Sequence, residues 1–241
     1  MKKLFFYGWM VGILLIAVGC SILATEKEEV KVNEESFIIE KDQAEELDIE
    51  LNMGVGELTV TKGTENWVEG SFDTPIKELE PIVMYANKKK KGVVVIEQPD
   101  NNNIRIGKIK NKWNMELTED IRMNLSVMTG AASANLDLKG LQLNKLDVET
   151  GVGELNIDLS GDWQKSFETN ITTGVGAATI VLPSNVGVKI KCEKGIGAIQ
   201  AKDLIFKEEG IYISEAYENA DVIVDIFVEI GVGEVIFKMD K

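Results

Sequence analysis

Three glutamates, Glu57, Glu154 and Glu234, each directly follow a Gly-Val-Gly triplet. A carboxylate repeated at one fixed offset could gather cations, and a pair of them could protonate and attack a glycosidic bond. A further Gly-Val-Gly and a Gly-Ile-Gly carry Ala177 and Ala198 at that offset, which interrupts any ladder of acids stacked in chain order. An edge of solvated carboxylates is therefore the expected reading, and no metal ligand set is assigned. No Asp recurs at the offset that calcium-binding nonapeptide repeats require.

Other chemistry is poorly supplied. The chain contains no histidine, and no serine lies in a nucleophile-elbow context, so no catalytic residue is assigned. Each Gly-x-Gly is followed by alternating β pattern rather than a helix start, which argues against a phosphate cradle and a nucleotide cofactor. Cys192 falls between Ile190 and Lys194 at an inward position, and reads as a small buried hydrophobe. The basic run Lys88-Lys89-Lys90-Lys91 reads as a solvated hairpin turn that discourages edge pairing. Cys20 is the candidate lipidation site, because Ala17-Val18-Gly19-Cys20 resembles the bacterial lipobox.

The elements that must position these residues are strands. Leu146, Val148, Thr150 and Val152 alternate with polar residues, then the apolar set resumes at Leu155, Ile157 and Leu159. This period-two pattern with one slip places Val152 inward and makes the chain bulge or turn at Gly153 and Glu154. The slip recurs around Val55, Val175, Ile196 and Val232, and in a weaker copy around Gly130-Ala131-Ala132. Gly130, Gly151, Gly174 and Gly195 are separated by 21, 23 and 21 residues. Such a period predicts an all-β, β-solenoid-like stacked array, in which each coil hides its apolar face against the next.

Residues 4–24 carry no charge, follow Lys2-Lys3 and precede an acidic stretch, so they are long enough to cross a bilayer with the lysines on the cytoplasmic side. The expected organisation is a lipoprotein signal peptide or signal-anchor helix over residues 1–24, a polar tether over 25–45, and a β-repeat domain over 46–241 with a hairpin insertion at about 64–112. Formal net charge is −14. An acidic body of this kind repels phosphate backbones, which excludes nucleic acid as a partner and favours cationic ones.

One further signal is a resemblance. It is carried by Gly54-Val55-Gly56-Glu57-Leu58, Trp113-Asn114-Met115-Glu116-Leu117, Asn124-Leu125-Ser126-Val127, residues 136–141 and residues 146–154. These resemble the toast-rack family of bacterial envelope proteins and, more distantly, adhesin-like, LiaF-like and LiaG-like proteins of cell-envelope stress operons. The resemblance implies a part in envelope stress or adhesion and supplies no catalytic residues. The expected function is a membrane-anchored, extracytoplasmic binding or structural module whose partner is an envelope protein or a cationic peptide. The rival is a carbohydrate-active β-helix enzyme using paired carboxylates.

Overall fold

The computed structural model describes residues 28–29 and 36–240, apart from residue 75 and residues 100–109. The leader, the lipobox and Cys20 lie outside the described residues.

Alternation of apolar and polar residues produces six long strands: β3 (Glu46–Lys62), β8 (Arg122–Asp137), β9 (Gln142–Asp158), β10 (Phe167–Leu182), β11 (Gly187–Gln200) and β14 (Ile223–Met239). All six pair in parallel, in the order β3-β8-β9-β10-β14-β11. Residues 138–141 join the end of β8 to the start of β9, while Asp137 pairs with Asp158 and Arg122 with Gln142. A straight strand of that length would run about 50 Å, and such a connector reaches less than about 20 Å. Each strand therefore doubles back into two legs at its corner, a glycine pair in five strands and Gly130-Ala131-Ala132 in β8, and successive strands stack as hairpin-shaped coils.

The core fills the space between the legs. In β9, Leu146, Val148 and Thr150 of the first leg and Leu155 and Ile157 of the second are buried, with Leu159 just beyond the strand. The same positions are filled in the neighbouring coils, for example by Ile171, Ala178 and Ile180 of β10 and by Ile226, Val228, Val235 and Phe237 of β14. Thr129 and Thr150, side by side beneath the corner, are joined by a hydroxyl hydrogen bond of 3.1 Å.

At the amino-terminal end the first legs continue through β6 (Lys91–Glu97), β5 (Ile82–Lys88) and β1 (Glu28–Glu29). The second legs continue through β7 (Lys112–Leu117), β4 (Val68–Asp73) and β2 (Ser36–Ile39). Among the described residues both layers thus end three strands beyond β3. Phe37, Phe72 and Trp113 close this end, with ring centroids 5.3 and 5.5 Å apart along the series. The β5–β6 turn holds Lys89 and Lys90 at φ of 51° and 72°, and Lys90 and Lys91 are paired with Glu45 and Asp48 at 2.5 and 2.8 Å.

Two sequence expectations are corrected. The last strand does not extend the stack: β14 inserts between β10 and β11, so chain order and stacking order diverge at the fifth coil. The inward assignment of Val152 and its counterparts also fails. Val152, Val175 and Val232 are 54%, 47% and 44% exposed, Ile196 is 74% exposed, and Val55 is partly exposed. Between Thr150 and Leu155 the chain rounds the tip of the hairpin, where no interior exists to receive a side chain. Strict alternation assumes a straight strand, and the slip is in fact a corner.

Candidate functional site

The corner has a glycine requirement that can be traced atom by atom. Gly153, Gly176, Gly233 and Gly197 adopt φ between 147° and 150°, a region L side chains rarely enter. A Cβ at Gly153 would lie 1.8 Å from the Ala132 carbonyl oxygen of the preceding coil, and one at Gly151 would lie 2.5 Å from that of Gly130. Glycine lets successive corners stack at strand spacing, with every coil in register with the next.

This register lines three rows of side chains along the corner. At the apex stand Val55, Ala131, Val152, Val175, Val232 and Ile196, each paired with the next. On the second-leg side run Glu57, Ser133, Glu154, Ala177, Glu234 and Ala198. On the first-leg side run Asn52, Met128, Glu149, Thr172, Glu229 and Glu193. The product is an exposed apolar ridge with carboxylates on both flanks, repeating about every 4.8 Å.

The second-leg row revises the picture of an interrupted ladder. In stacking order, acids alternate with small residues throughout, because β14 carries Glu234 between Ala177 and Ala198. Neighbouring carboxylates are thereby held about 10 Å apart instead of one strand spacing, which relieves like-charge repulsion. Lys112 pairs with Glu57 at 2.5 Å, and the Gln200 amide donates to Glu234 at 2.5 Å. These groups stand on a convex surface. One cleft, of about 330 Å³, is bordered by Glu119, Arg122, Asp162 and Trp163 at the connector end of the coils, and a smaller one of about 190 Å³ is bordered by Met128, Glu149 and Thr172 of the first-leg row. Among the described residues no three carboxylates or thiols come together as a metal site.

Cys192 is buried at an inward position beside Val228, and burial pushes its thiol up to about 11. At the other end, Asp42 accepts hydrogen bonds from the Trp67 indole at 3.0 Å, the Ala44 amide at 2.9 Å and the Asn87 amide at 2.7 Å. Partial burial works against its ionisation, yet these donors hold its carboxyl below the usual range. The apolar ridge is the feature that sequence reasoning missed. Its signal was present, since a corner made of two glycines leaves the intervening residue on the outside.

The comparisons with known proteins agree with this architecture. Residues 132–236 match the C-terminal domain of LiaF, described as a cell wall-active antibiotics response protein. Over 89% of this chain and 100% of the other, it is similar at 34% identity and a TM-score of 0.83 to the crystal structure of a putative cell adhesion protein from Clostridium sporogenes. A putative adhesin from Bacteroides fragilis aligns over 84% of this chain and 94% of its own at 13% identity and a TM-score of 0.29, too low to carry an argument. No curated protein matches. Residues 26–181, more than half of the chain, match the family described as the N-terminal domain of toast_rack, and the chain belongs to that family.

Proposed function

We propose that the chain is a membrane-anchored, extracytoplasmic binding module of the bacterial envelope whose corner ridge receives cationic, amphipathic peptide segments. The supporting observation is the three-row ladder: Val152, Val175 and Val232 exposed in register, with Glu149 and Glu229 on one flank and Glu154 and Glu234 on the other. Apolar contact with flanking opposite charge is how an amphipathic basic segment is recognised. The names of the relatives place them in cell adhesion and in the response to cell wall-active antibiotics, and envelope stress or adhesion is the setting we assign here. Residues 1–24 supply the anchor if the signal-anchor helix stays uncleaved, and in the lipoprotein form Cys20 supplies it as the acylated amino terminus. Binding rather than catalysis is the reading we adopt, because Glu57, Glu154 and Glu234 line a ridge and not a cleft.

The test uses the full chain in lipid nanodiscs and a fluorescent synthetic peptide of alternating Lys and Leu blocks. Affinity should fall as salt rises, and should fall about tenfold in Glu154→Gln/Glu234→Gln and in Val175→Ser. Affinity indifferent to salt and to both variants would overturn the ridge assignment. Turnover of an envelope glycan that vanishes on changing a single carboxylate would overturn the binding reading itself. Metabolic palmitate labelling that disappears in Cys20→Ala identifies the lipoprotein form, and an unlabelled chain the signal anchor.

A further inference from the structure

The two layers of the rack end differently at the carboxy-terminal side of the stack. Beyond β11, the first-leg layer continues through β13 (Ile211–Ile213) and β12 (Ile205–Glu208), whereas among the described residues the second-leg layer stops at β11 itself. The result is a step two strands wide. Tyr212 pairs with buried Ile190 and Phe206 pairs with Tyr212, so both rings face inward across the gap, in edge contact at 5.8 Å. With no strand opposite, Phe206 is 62% exposed. Below it, residues 194–200 of β11 pair with β14 on one side, and no strand of the described residues pairs with them on the other.

We propose that this step is filled by a second copy of the chain in a two-fold lap joint. A two-fold axis parallel to the strands exchanges the layers and preserves strand direction. The overhang of each copy then enters the step of the other, and the missing width, two strands, equals the overhang offered, β13 and β12. Directions agree as well. β12 is antiparallel to β13, which is antiparallel to the first leg of β11, so β12 runs toward the corner and the second leg of β11 runs away from it. The partner's β12 therefore meets the open edge as an antiparallel neighbour, and the Phe206 and Tyr212 rings of the two copies close on each other.

Charge selects the same arrangement. The inward position just before the corner is buried in the inner coils as Thr129, Thr150, Thr173 and Ile230, yet in β11 it is Lys194, which is exposed. Glu208 and Glu209 lie at the corner end of the overhang, because the Gly210 carbonyl accepts from the Cys192 amide at 2.7 Å. The two-fold operation brings the acids of one copy to Lys194 of the other. Simple edge-to-edge pairing of the second legs, with the axis normal to the sheet, is blocked because the two overhangs would collide.

Sedimentation velocity of the full chain in detergent over the micromolar range should show a dimer. Phe206→Glu should weaken dimerisation at least tenfold while leaving the circular dichroism spectrum unchanged, since the ring is exposed in a single copy. Lys194→Glu should also dissociate it, and adding Glu208→Lys should restore association. A wild-type chain that stays monomeric, a Phe206→Glu chain that still dimerises with wild-type affinity, or a charge exchange that restores nothing would overturn the proposal. Because none of these readouts involves peptide binding, a failure here leaves the ridge assignment standing.

Discussion

Gly153 and Val152 are adjacent, and their substitutions should have opposite consequences. Gly153→Ala combines a φ of 148° with a Cβ placed 1.8 Å from the Ala132 carbonyl oxygen. The backbone of two coils must shift, at a cost of about 3 kcal/mol or more. Val152→Asp changes an exposed apex residue and should stay within about 0.5 kcal/mol. Urea midpoints of the two variants check this directly, with Leu155→Ala as a core reference expected to lose about 2–5 kcal/mol. A second residue-scale prediction concerns Cys192. Its thiol ionises at about 9 when the chain is unfolded and about 11 when folded, so the unfolded chain sheds its proton first. The resulting loss of stability is absent below pH 9 and grows from there to pH 11, by at most about 1.4 kcal/mol per pH unit. In Cys192→Ala the difference from wild type should narrow across that window, as read from urea midpoints at successive pH values.

At the scale of elements, the amino-terminal corner is closed by side chains instead of by another glycine corner. Gln98 accepts from the amides of Gly54 and Val55 at 3.1 and 3.3 Å. The Asn111 amide donates to the Val55 carbonyl at 2.6 Å, while its oxygen accepts from Thr74 at 2.8 Å and from the Trp113 indole at 3.0 Å. Asn111→Ala would strand the buried Trp113 indole, the half-buried Thr74 hydroxyl and the Val55 carbonyl, costing about 2–4 kcal/mol in chemical denaturation. The strands themselves were legible from Leu146, Val148, Leu155 and Ile157, because period-two alternation survives wherever a leg is straight. The apex was misread through Val152 for the same reason, as alternation says nothing about a tip with no inside. Gln98 and Asn111 gave no signal, since a capping role depends on which backbone groups tertiary packing leaves open. The Glu154 row was visible as a repeat, but its alternation with small residues was hidden until stacking order replaced chain order.

At the scale of the whole molecule, the placement of β14 sets this rack apart from an ordinary linear repeat. Trimming a terminal unit from a one-dimensional array leaves a shorter array. Here a chain ending at residue 221 would lack an interior coil, losing the buried Val224, Ile226, Val228, Ile230, Val235 and Phe237 and separating β10 from β11. Limited proteolysis should cut such a fragment throughout residues 187–213 while sparing the coils from β3 to β9. The lesson extends to biosynthesis. A polypeptide that folds from its amino end can assemble β3 to β10 first, but the slot between β10 and β11 must wait for residues 223–239. Until β14 is made, the facing edges of β10 and β11 stay open, so the middle of the rack is the last part to close.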